Sequence, residues 1–323
     1  MRVLVTGADG FVGQHLVAGL LEEGRQVAAA SLTLPPSRTI LSPSQMAAVD
    51  WKAADVREQD ALFRLLAAVQ PDRIYHLAGF ASGDRARYHA AKAMEVNAGG
   101  TVNLCEAILS VREDFPEFDP RVLVMGAGDA YGNAGVEGEP LTEDLSLRPM
   151  TTYGMSKAAQ EIVAHTYRRA HDIDTAVARG FNLVGPGQET AFVVPDFCEQ
   201  AAAIAAGEAE PVLRVGNLDA VRDFTDVRDG AEAFRLLMEA ETAEGAYNVC
   251  SGVGRSVRTL LEWILDEAGI DPEVRVDEEL HRGEEVGSIV GDASRLRELT
   301  GWQARRDVEE SVREVYRWTV SRE

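Results

Sequence analysis

Met1-Arg-Val-Leu-Val-Thr-Gly-Ala-Asp-Gly-Phe-Val-Gly13 decides how the chain folds. Arg2 to Val5 is an apolar run of strand length, and Thr6 to Gly10 reads as a tight turn. A helix follows from Phe11, with Phe11, Val12, Leu16, Val17, Leu20 and Leu21 at amphipathic spacing. The glycines at 7, 10 and 13 meet three separate demands. Gly7 permits the sharp turn, Gly10 lets backbone approach a phosphate, and Gly13 lets the helix lie close on the strand. The helix start then presents open N–H groups and partial positive charge, which suits a pyrophosphate. A plain β-turn-α unit can carry the same letters. The position after an apolar strand and before an amphipathic helix favours a nucleotide-cofactor site, with Asp9, Phe11 and Val12 among the turn residues that would meet it.

Outward from this stretch, strand and helix patterns alternate. Gln26 to Ser31 reads as the second strand and Leu32 to Met46 as a loop. Val56 to Val69, Tyr88 to Leu109 and Thr152 to His171 read as helices. Asp72 to Leu77, Arg121 to Met125 and Thr175 to Arg179 read as strands. Repeated β-α-β units predict an α/β fold, a Rossmann-type doubly wound parallel sheet. The second half is more mixed, with a helix at Val194 to Gly207, a short strand at Val212 to Val215 and a helix at Val227 to Glu241. A strand at Ala246 to Val249 and a helix at Val257 to Gly269 follow. We expect residues 1–180 to form mainly the nucleotide-binding domain. Residues 181–323 should form mainly a smaller C-terminal α/β lobe, with some segments returning to the sheet.

The 323 residues suffice for a sizeable core. No apolar stretch is long enough to span a bilayer, and the start lacks a secretory pattern, so a soluble cytoplasmic protein is expected. Cys105, Cys198 and Cys250 are odd in number and far apart, which predicts neither a disulfide framework nor a metal site. A net charge of −21 argues against nucleic acid as a partner. Only Lys52, Lys92 and Lys157 are lysines, leaving 29 arginines among the basic residues. Excess acid with so little lysine suits adaptation to high salt or a GC-rich genome, and concerns the solvated surface.

Tyr153-Gly-Met-Ser-Lys157 begins a predicted helix, and its i, i+4 spacing puts phenol and ammonium on one face. A neighbouring ammonium lowers a tyrosine pKa. Such a tyrosine can exchange the proton of a carbinol while a nicotinamide exchanges hydride with its carbon. The spacing alone is common on helices; after a glycine-rich first turn, in a chain so poor in lysine, it carries weight. Lys157 would also hold the nicotinamide ribose.

An acidic residue closing the second strand usually binds the adenosine ribose of NAD. Here the strand ends Ala30-Ser31-Leu32, and Ser37, Arg38 and Thr39 follow. This favours NADP over NAD, although Arg38 reads equally well as a surface arginine. Asp55-Val56 is placed to meet adenine, and Leu77-Ala78-Gly79 offers small residues where a cofactor crosses. Asn97 is either a cofactor contact or a structural amide.

These pieces together resemble the extended short-chain dehydrogenase/reductases that modify nucleotide sugars. The motifs run in that family's order: Thr6-Gly7-x-x-Gly10-x-x-Gly13, Asp55-Val56, His76-Leu77-Ala78, Asn97, Tyr131-Gly132, Tyr153-x-x-x-Lys157, and Arg179-Gly-Phe-Asn182 before Gly185-Pro-Gly-Gln188. Phe192-Val-Val-Pro195, Val215-Gly-Asn217, Arg222-Asp223-Phe-Thr-Asp226 and Arg282-Gly-Glu-Glu285 resemble the branch that converts GDP-mannose. The resemblance implies reduction by NAD(P)H of the 4-keto group of GDP-4-keto-6-deoxy-D-mannose to GDP-D-rhamnose. Tyr153 would be the proton donor and Lys157 its electrostatic partner. It implies Asn182 on the sugar or diphosphate and Arg222 and Arg282 on the diphosphate. Asn217 and Val193 would line the guanosine side, with Glu285 orienting Arg282 or binding ribose. The plainer reading of the arginines is ion pairing, Arg222 with Asp226 and Arg282 with Glu285. The resemblance further implies a homodimer through a four-helix contact made by the Tyr88–Leu109 and Thr152–His171 segments.

The chain departs from the family pattern at three places. Ala127 stands where a Ser or Thr hydroxyl normally meets the reacting oxygen. Gly180 replaces a usual proline, which should loosen a loop near the nicotinamide. Asp129 takes the place of a glutamate that serves as acid/base in the dehydratases. A GDP-mannose 4,6-dehydratase or another nucleotide-sugar epimerase or dehydratase with bound NADP stays open, as does a homologue that binds without turnover.

Overall fold

The computed structural model describes residues 1–34, 39–81, 89–135, 138–277 and 287–322. Arg38, Arg282 and Glu285 lie outside the described residues. The first half runs β1 (Arg2–Thr6), α1 (Phe11–Glu22), β2 (Gln26–Ser31), α2 (Pro43–Ala48), β3 (Asp50–Ala53), α3 (Gln59–Val69) and β4 (Arg73–His76). Next, α4 (Ala90–Met94) passes through a π-helical turn (Glu95–Gly99) into α5 (Gly100–Asp114). β5 (Arg121–Ala127), α6 (Thr152–His171) and β6 (Thr175–Gly180) follow. The second half runs β7 (Asn182–Val184), α7 (Val193–Ala205), β8 (Val212–Val215), β9 (Val221–Asp226), α8 (Val227–Glu239) and β10 (Gly245–Val249). It continues through β11 (Gly254–Ser256), α9 (Val257–Ala268), β12 (Glu273–Val276), β13 (Ser288–Ile289), α10 (Ser294–Thr300) and α11 (Val308–Val320).

Seven strands form one parallel sheet in the order β10-β6-β5-β4-β1-β2-β3. Successive residues of β1 face opposite ways, and both ways are apolar. Val3 and Val5 join Leu16, Leu20, Phe234 and Trp302 on one side, while Leu4 joins Leu62, Leu66, Leu104 and Ile108 on the other. Full burial of each such side chain contributes about 1.5–3 kcal/mol, which is why these strands read as unbroken apolar runs. The strand order reverses between β1 and β4. That switch point opens a crevice at the carboxyl ends of the strands, where ligands of such sheets bind.

A second core lies in the C-terminal part: Phe197, Leu213, Phe224, Leu260, Ile264 and Val312 from α7, β8, β9, α9 and α11. Two buried carboxylates fasten loops around it. Asp223 accepts from the Ser251 and Gly252 amides at 2.8 and 2.9 Å and from Ser251 Oγ at 2.7 Å. Asp229 accepts from the Arg305 and Arg306 amides at 2.7 and 2.8 Å.

Three local expectations change. The Leu32–Met46 loop contains the start of α2. Its capping box pairs Ser42 with Gln45 and has Pro43 at the first helical position, a signature present in the letters Ser-Pro-Ser-Gln. The Tyr88–Leu109 helix is interrupted by the π turn. Gly180 is not in a loosened loop: it closes β6, in register with Ala127 of β5 and Val249 of β10, so parallel pairing on both sides holds it.

Candidate active site

The turn after β1 closes on itself, the Gly10 amide donating to the Gly7 carbonyl at 3.1 Å. Gly7 has φ +66°, a conformation that favours glycine. A Cβ there would meet the Ala78 backbone at 2.7 Å, and a Cβ on Gly13 would meet the Gly7 carbonyl oxygen at 2.2 Å. Any side chain would therefore fill the cradle between the ends of β1 and β4. No side chain caps the start of α1, so its leading amides face outward with the positive end of the helix dipole. Together these features fit the pyrophosphate of a dinucleotide. Asp9, Phe11 and Val12 sit on this rim. Gln14, just inside it, ties the turn to the segment after β2, donating to the Asp9 carbonyl and accepting from the Ile40 amide.

Asp55 and Val56, expected to meet adenine, already have partners within the protein. The Asp55 carboxylate is engaged by the Arg57 backbone amide and guanidinium, whose hydrogen bonds lower its pKa despite partial burial. Val56 is buried against Gly100, and its carbonyl accepts from Asn103. At the end of β2, Ser31 is buried and bonds back to the Thr33 carbonyl, so no carboxylate closes that strand.

At the end of β4, Thr6 Oγ1 lies 2.9 Å from His76 Nδ1 and accepts from the Ala78 amide. His76 is fully buried. Burial, then the Lys157 charge, pushes it down to about 3, so the ring is neutral, and Nε2 has no hydrogen-bond partner among the described residues. The chain continues past Leu77 and Ala78 to Gly79, where a Cβ would sit 2.9 Å from Asn97 Oδ1 and 3.4 Å from Lys157 Nζ.

Tyr153 and Lys157 meet across this wall. Thr151 caps α6 by accepting from the Gly154 amide, and Gly154 packs directly on the Asp129 carbonyl. The helix therefore starts against the turn that follows β5, with Ala127 buried at the strand's end. Lys157 Nζ lies 6.0 Å from the Tyr153 ring centroid. It donates to the Met125 carbonyl at 2.8 Å and to Gln160 Oε1 at 2.9 Å. Burial lowers Lys157 to about 8. The expected fall of the tyrosine pKa is not what the surroundings produce. Burial, and then the Asp129 carboxylate, push the Tyr153 phenol above its usual range, so it keeps its proton. Asn97 holds the wall: Oδ1 accepts from the Phe80 amide at 2.7 Å and Nδ2 donates to Ser156 Oγ at 2.8 Å. Its structural role is plain in these bonds.

The expected substrate residues that the structure describes, Asn182, Val193, Asn217 and Arg222, lie on the C-terminal part. Asn182 spends an amide proton on the Asp223 carbonyl, 3.1 Å away, tying β7 to β9. Asn217 Oδ1 accepts from the Asp219 amide, and Val193 begins α7. Arg222 does not pair with Asp226: four residues along β9 separate their backbones by roughly 13 Å, and Arg228 and Ser311 hold that carboxylate at 2.6 and 2.7 Å. Its guanidinium instead reaches the Val221 and Gly287 carbonyls.

A family model described as GDP-mannose 4,6 dehydratase matches residues 4–315. The chain belongs to that family, within the extended short-chain dehydrogenase/reductases. It is 31% identical to the GDP-6-deoxy-D-mannose reductase of Pseudomonas aeruginosa, over 97% of this chain and 95% of that protein. Among solved structures, RMD from Pseudomonas aeruginosa complexed with NADPH superposes with TM-score 0.82 at 30% identity, covering 100% of this chain and 99% of that one. The UDP-glucose 4-epimerase of Thermus thermophilus in complex with NAD superposes with TM-score 0.85 at 29% identity, covering 99% of each. Membership makes the chain an NAD(P)-dependent nucleotide-sugar enzyme.

The site also holds residues that the sequence reading passed over: Ser156, Gln160 and Thr101. Their signal was available. Gly154, Ser156, Lys157, Ala158, Gln160, Glu161 and Ala164 are the buried residues of α6, and four of the seven are polar. Polar residues on a core-facing stripe must find partners, and such a network marks a site.

Proposed function

We propose that the enzyme reduces the 4-keto group of GDP-4-keto-6-deoxy-D-mannose with NADPH, giving GDP-D-rhamnose. The observation that carries this reading is the proton-bearing Tyr153 beside the buried Lys157 ammonium, at the carboxyl edge of the sheet. The reductase from Pseudomonas aeruginosa supports the choice of substrate. The nicotinamide, when bound, supplies the hydride. Tyr153 delivers its proton to the oxygen that becomes the 4-hydroxyl, and the Lys157 ammonium stabilises the phenolate left behind. Gly7, Gly10 and Gly13 let the α1 amides hold the pyrophosphate, with Asp9, Phe11 and Val12 around it. Asp55 and Val56 border the adenine. Leu77, Ala78, Gly79 and Asn97 form the wall on which the nicotinamide half lies, and Lys157 holds its ribose. The missing carboxylate at Ser31 supports NADPH over NADH, with Arg38 on the 2′-phosphate.

The GDP-sugar would lie on Asn182, Val193 and Asn217, its diphosphate neutralised by the guanidinium groups of Arg222 and Arg282, with Glu285 orienting Arg282 or binding ribose. We further infer a homodimer through α5 and α6. Ile162 and Met155, one heptad apart on α6, are 61% and 41% exposed, an apolar stripe suited to a second copy. The rival reading is a 4,6-dehydratase, favoured by Asp129 standing close enough to bias Tyr153. Mixing the enzyme with the keto sugar and either reduced coenzyme separates the two. Substrate-dependent loss of reduced-nicotinamide absorbance, faster with NADPH, is expected. No loss with either coenzyme, and water loss from GDP-mannose without added reductant, would sink the reductase in favour of the dehydratase.

A further inference from the structure

Gln160 and Thr101 are the side chains that hold the Lys157 ammonium in place without cancelling its charge. Lys157, Gln160 and Thr101 are buried, at 4%, 0% and 0% exposure. Thr101 Oγ1 donates its one proton to the Asn97 carbonyl of the π turn at 2.8 Å. Its lone pairs are then free to accept, and Gln160 Nε2 donates to them at 3.0 Å. That bond fixes which way round the Gln160 amide sits: nitrogen toward Thr101, oxygen toward Lys157. Oε1 accepts from Nζ at 2.9 Å, and the Met125 carbonyl accepts a second proton at 2.8 Å. We propose that Gln160, oriented by Thr101, is a positioning residue that sets both the place and the protonation of Lys157. The proposal rests on the reading of Tyr153 and Lys157 given above.

A neutral acceptor suits this task. A carboxylate at the same place would neutralise the ammonium on which the Tyr153 phenolate depends. An apolar side chain would leave a buried charge short of a partner. The titratable groups facing Lys157 are Tyr153 on its own helix, His76 from the end of β4 and, beyond Tyr153, Asp129. Asn97 of the π turn and Thr101 of α5 stand on the next side, Thr101 reaching Lys157 through Gln160 of α6. Lys92 of α4 and Glu95 of the π turn are exposed, and Glu106 of α5 is held by Tyr167. On α6, Glu161 is taken by Arg179.

The chain has only three lysines, so Lys157 can be titrated directly. NMR of protein labelled with carbon-13 at the lysine ε position gives three signals, assigned with Lys52→Arg and Lys92→Arg. In the wild type Lys157 should titrate near 8. Gln160→Leu should lower that midpoint by about one pH unit and Gln160→Glu should raise it by about as much. Thr101→Val, which frees the amide to turn its nitrogen toward Nζ, should act in the direction of Gln160→Leu. The alkaline limb of kcat should move with the same signs. A side chain that only fills space would not shift the midpoint oppositely in the two Gln160 variants. Unmoved midpoints, or shifts of one sign, would overturn the assignment. The titration needs no substrate, so it stands apart from whether GDP-4-keto-6-deoxy-D-mannose is turned over.

Discussion

Ala127 is the residue at which this chain parts from the chemistry its surroundings support. It ends β5, 4% exposed, in register with Gly180 and one residue from Gly128, where a Cβ would press on the Phe181 ring. A serine there would add one oxygen at the rim of the site, next to the turn on which α6 starts. If the keto oxygen is otherwise met by Tyr153 alone, the added hydroxyl supplies a second donor to an oxygen gaining negative charge. One such bond is worth roughly 1.5–3 kcal/mol, or about 10- to 100-fold in rate. Ala127→Ser should therefore raise kcat by that factor with little change in KM, as steady-state kinetics on the keto sugar would read. The cost falls on the free enzyme, because a hydroxyl that burial leaves unpaired lowers stability by about 1–3 kcal/mol. An unchanged kcat would mean that another hydroxyl already fills the role. Thr151 and Thr152, just before Tyr153, are the candidates, and Thr151 Oγ1, which accepts from the Gly154 amide, still has a proton to donate.

At the scale of elements, α6 is held to β6 by one buried ion pair. Arg179 meets Glu161 through two bonds, of 2.9 and 2.6 Å, with both side chains 5% exposed, and also reaches the Tyr131 hydroxyl at 2.6 Å. Tyr131 in turn donates to Asn248 of β10. Removing one partner strands the other charge, so Arg179→Met should cost about 3–5 kcal/mol in urea unfolding. Burial opposes ionisation of Glu161, but Arg179 and His165 outweigh it and hold the carboxyl at about 2, against an ordinary 4.5. A depressed carboxyl stabilises the fold above its unfolded pKa, and that contribution is lost as the pH falls through the folded one. The stability gap between wild type and Glu161→Gln should be full above about pH 5 and close toward about pH 2. A gap independent of pH would show that the charge of Glu161 does not hold the helix. The same elements explain what the sequence disclosed. β1, β2, β4 and α6 are apolar or amphipathic on one period, so local pattern and tertiary burial agree. β9 reads Val-Arg-Asp-Phe-Thr-Asp, with Asp223 and Asp226 fully buried, and nothing local announces a strand whose Asp223 is satisfied by the loop after β10 and whose Asp226 is shared between Arg228 and Ser311 of α11. The glycine turn and the Tyr153–Lys157 pair were legible because one helix or one turn contains each. The Gln160–Thr101 bond was not, because it joins α6 to α5 across 59 residues.

For the molecule as a whole, charge balance is the dominant surface property. The 53 acidic and 32 basic residues leave −21, and a compact chain carrying that excess repels itself. Arginines partly relieve it by serving more than one carboxylate: Arg313 pairs with Glu309 and Glu267, and Arg228 with Asp226 and Glu314. Salt acts on both terms with opposite sign. It weakens exposed pairs, each worth about 0–1 kcal/mol, and it screens the repulsion among all the unmatched carboxylates. The first loss is small because the pairs are individually weak. The second gain is larger because it sums over the whole excess, and the screening length falls from about 30 Å at about 0.01 M to about 3 Å at about 1 M. Repulsion should win, so the melting temperature should rise by on the order of 5 °C between about 0.05 and 1 M sodium chloride, equivalent to roughly 3 kcal/mol for a chain of this size. Calorimetry across that range checks the sign. A melting temperature that falls with salt would mean that the arginine pairs, and not the excess acid, govern the stability of the folded surface.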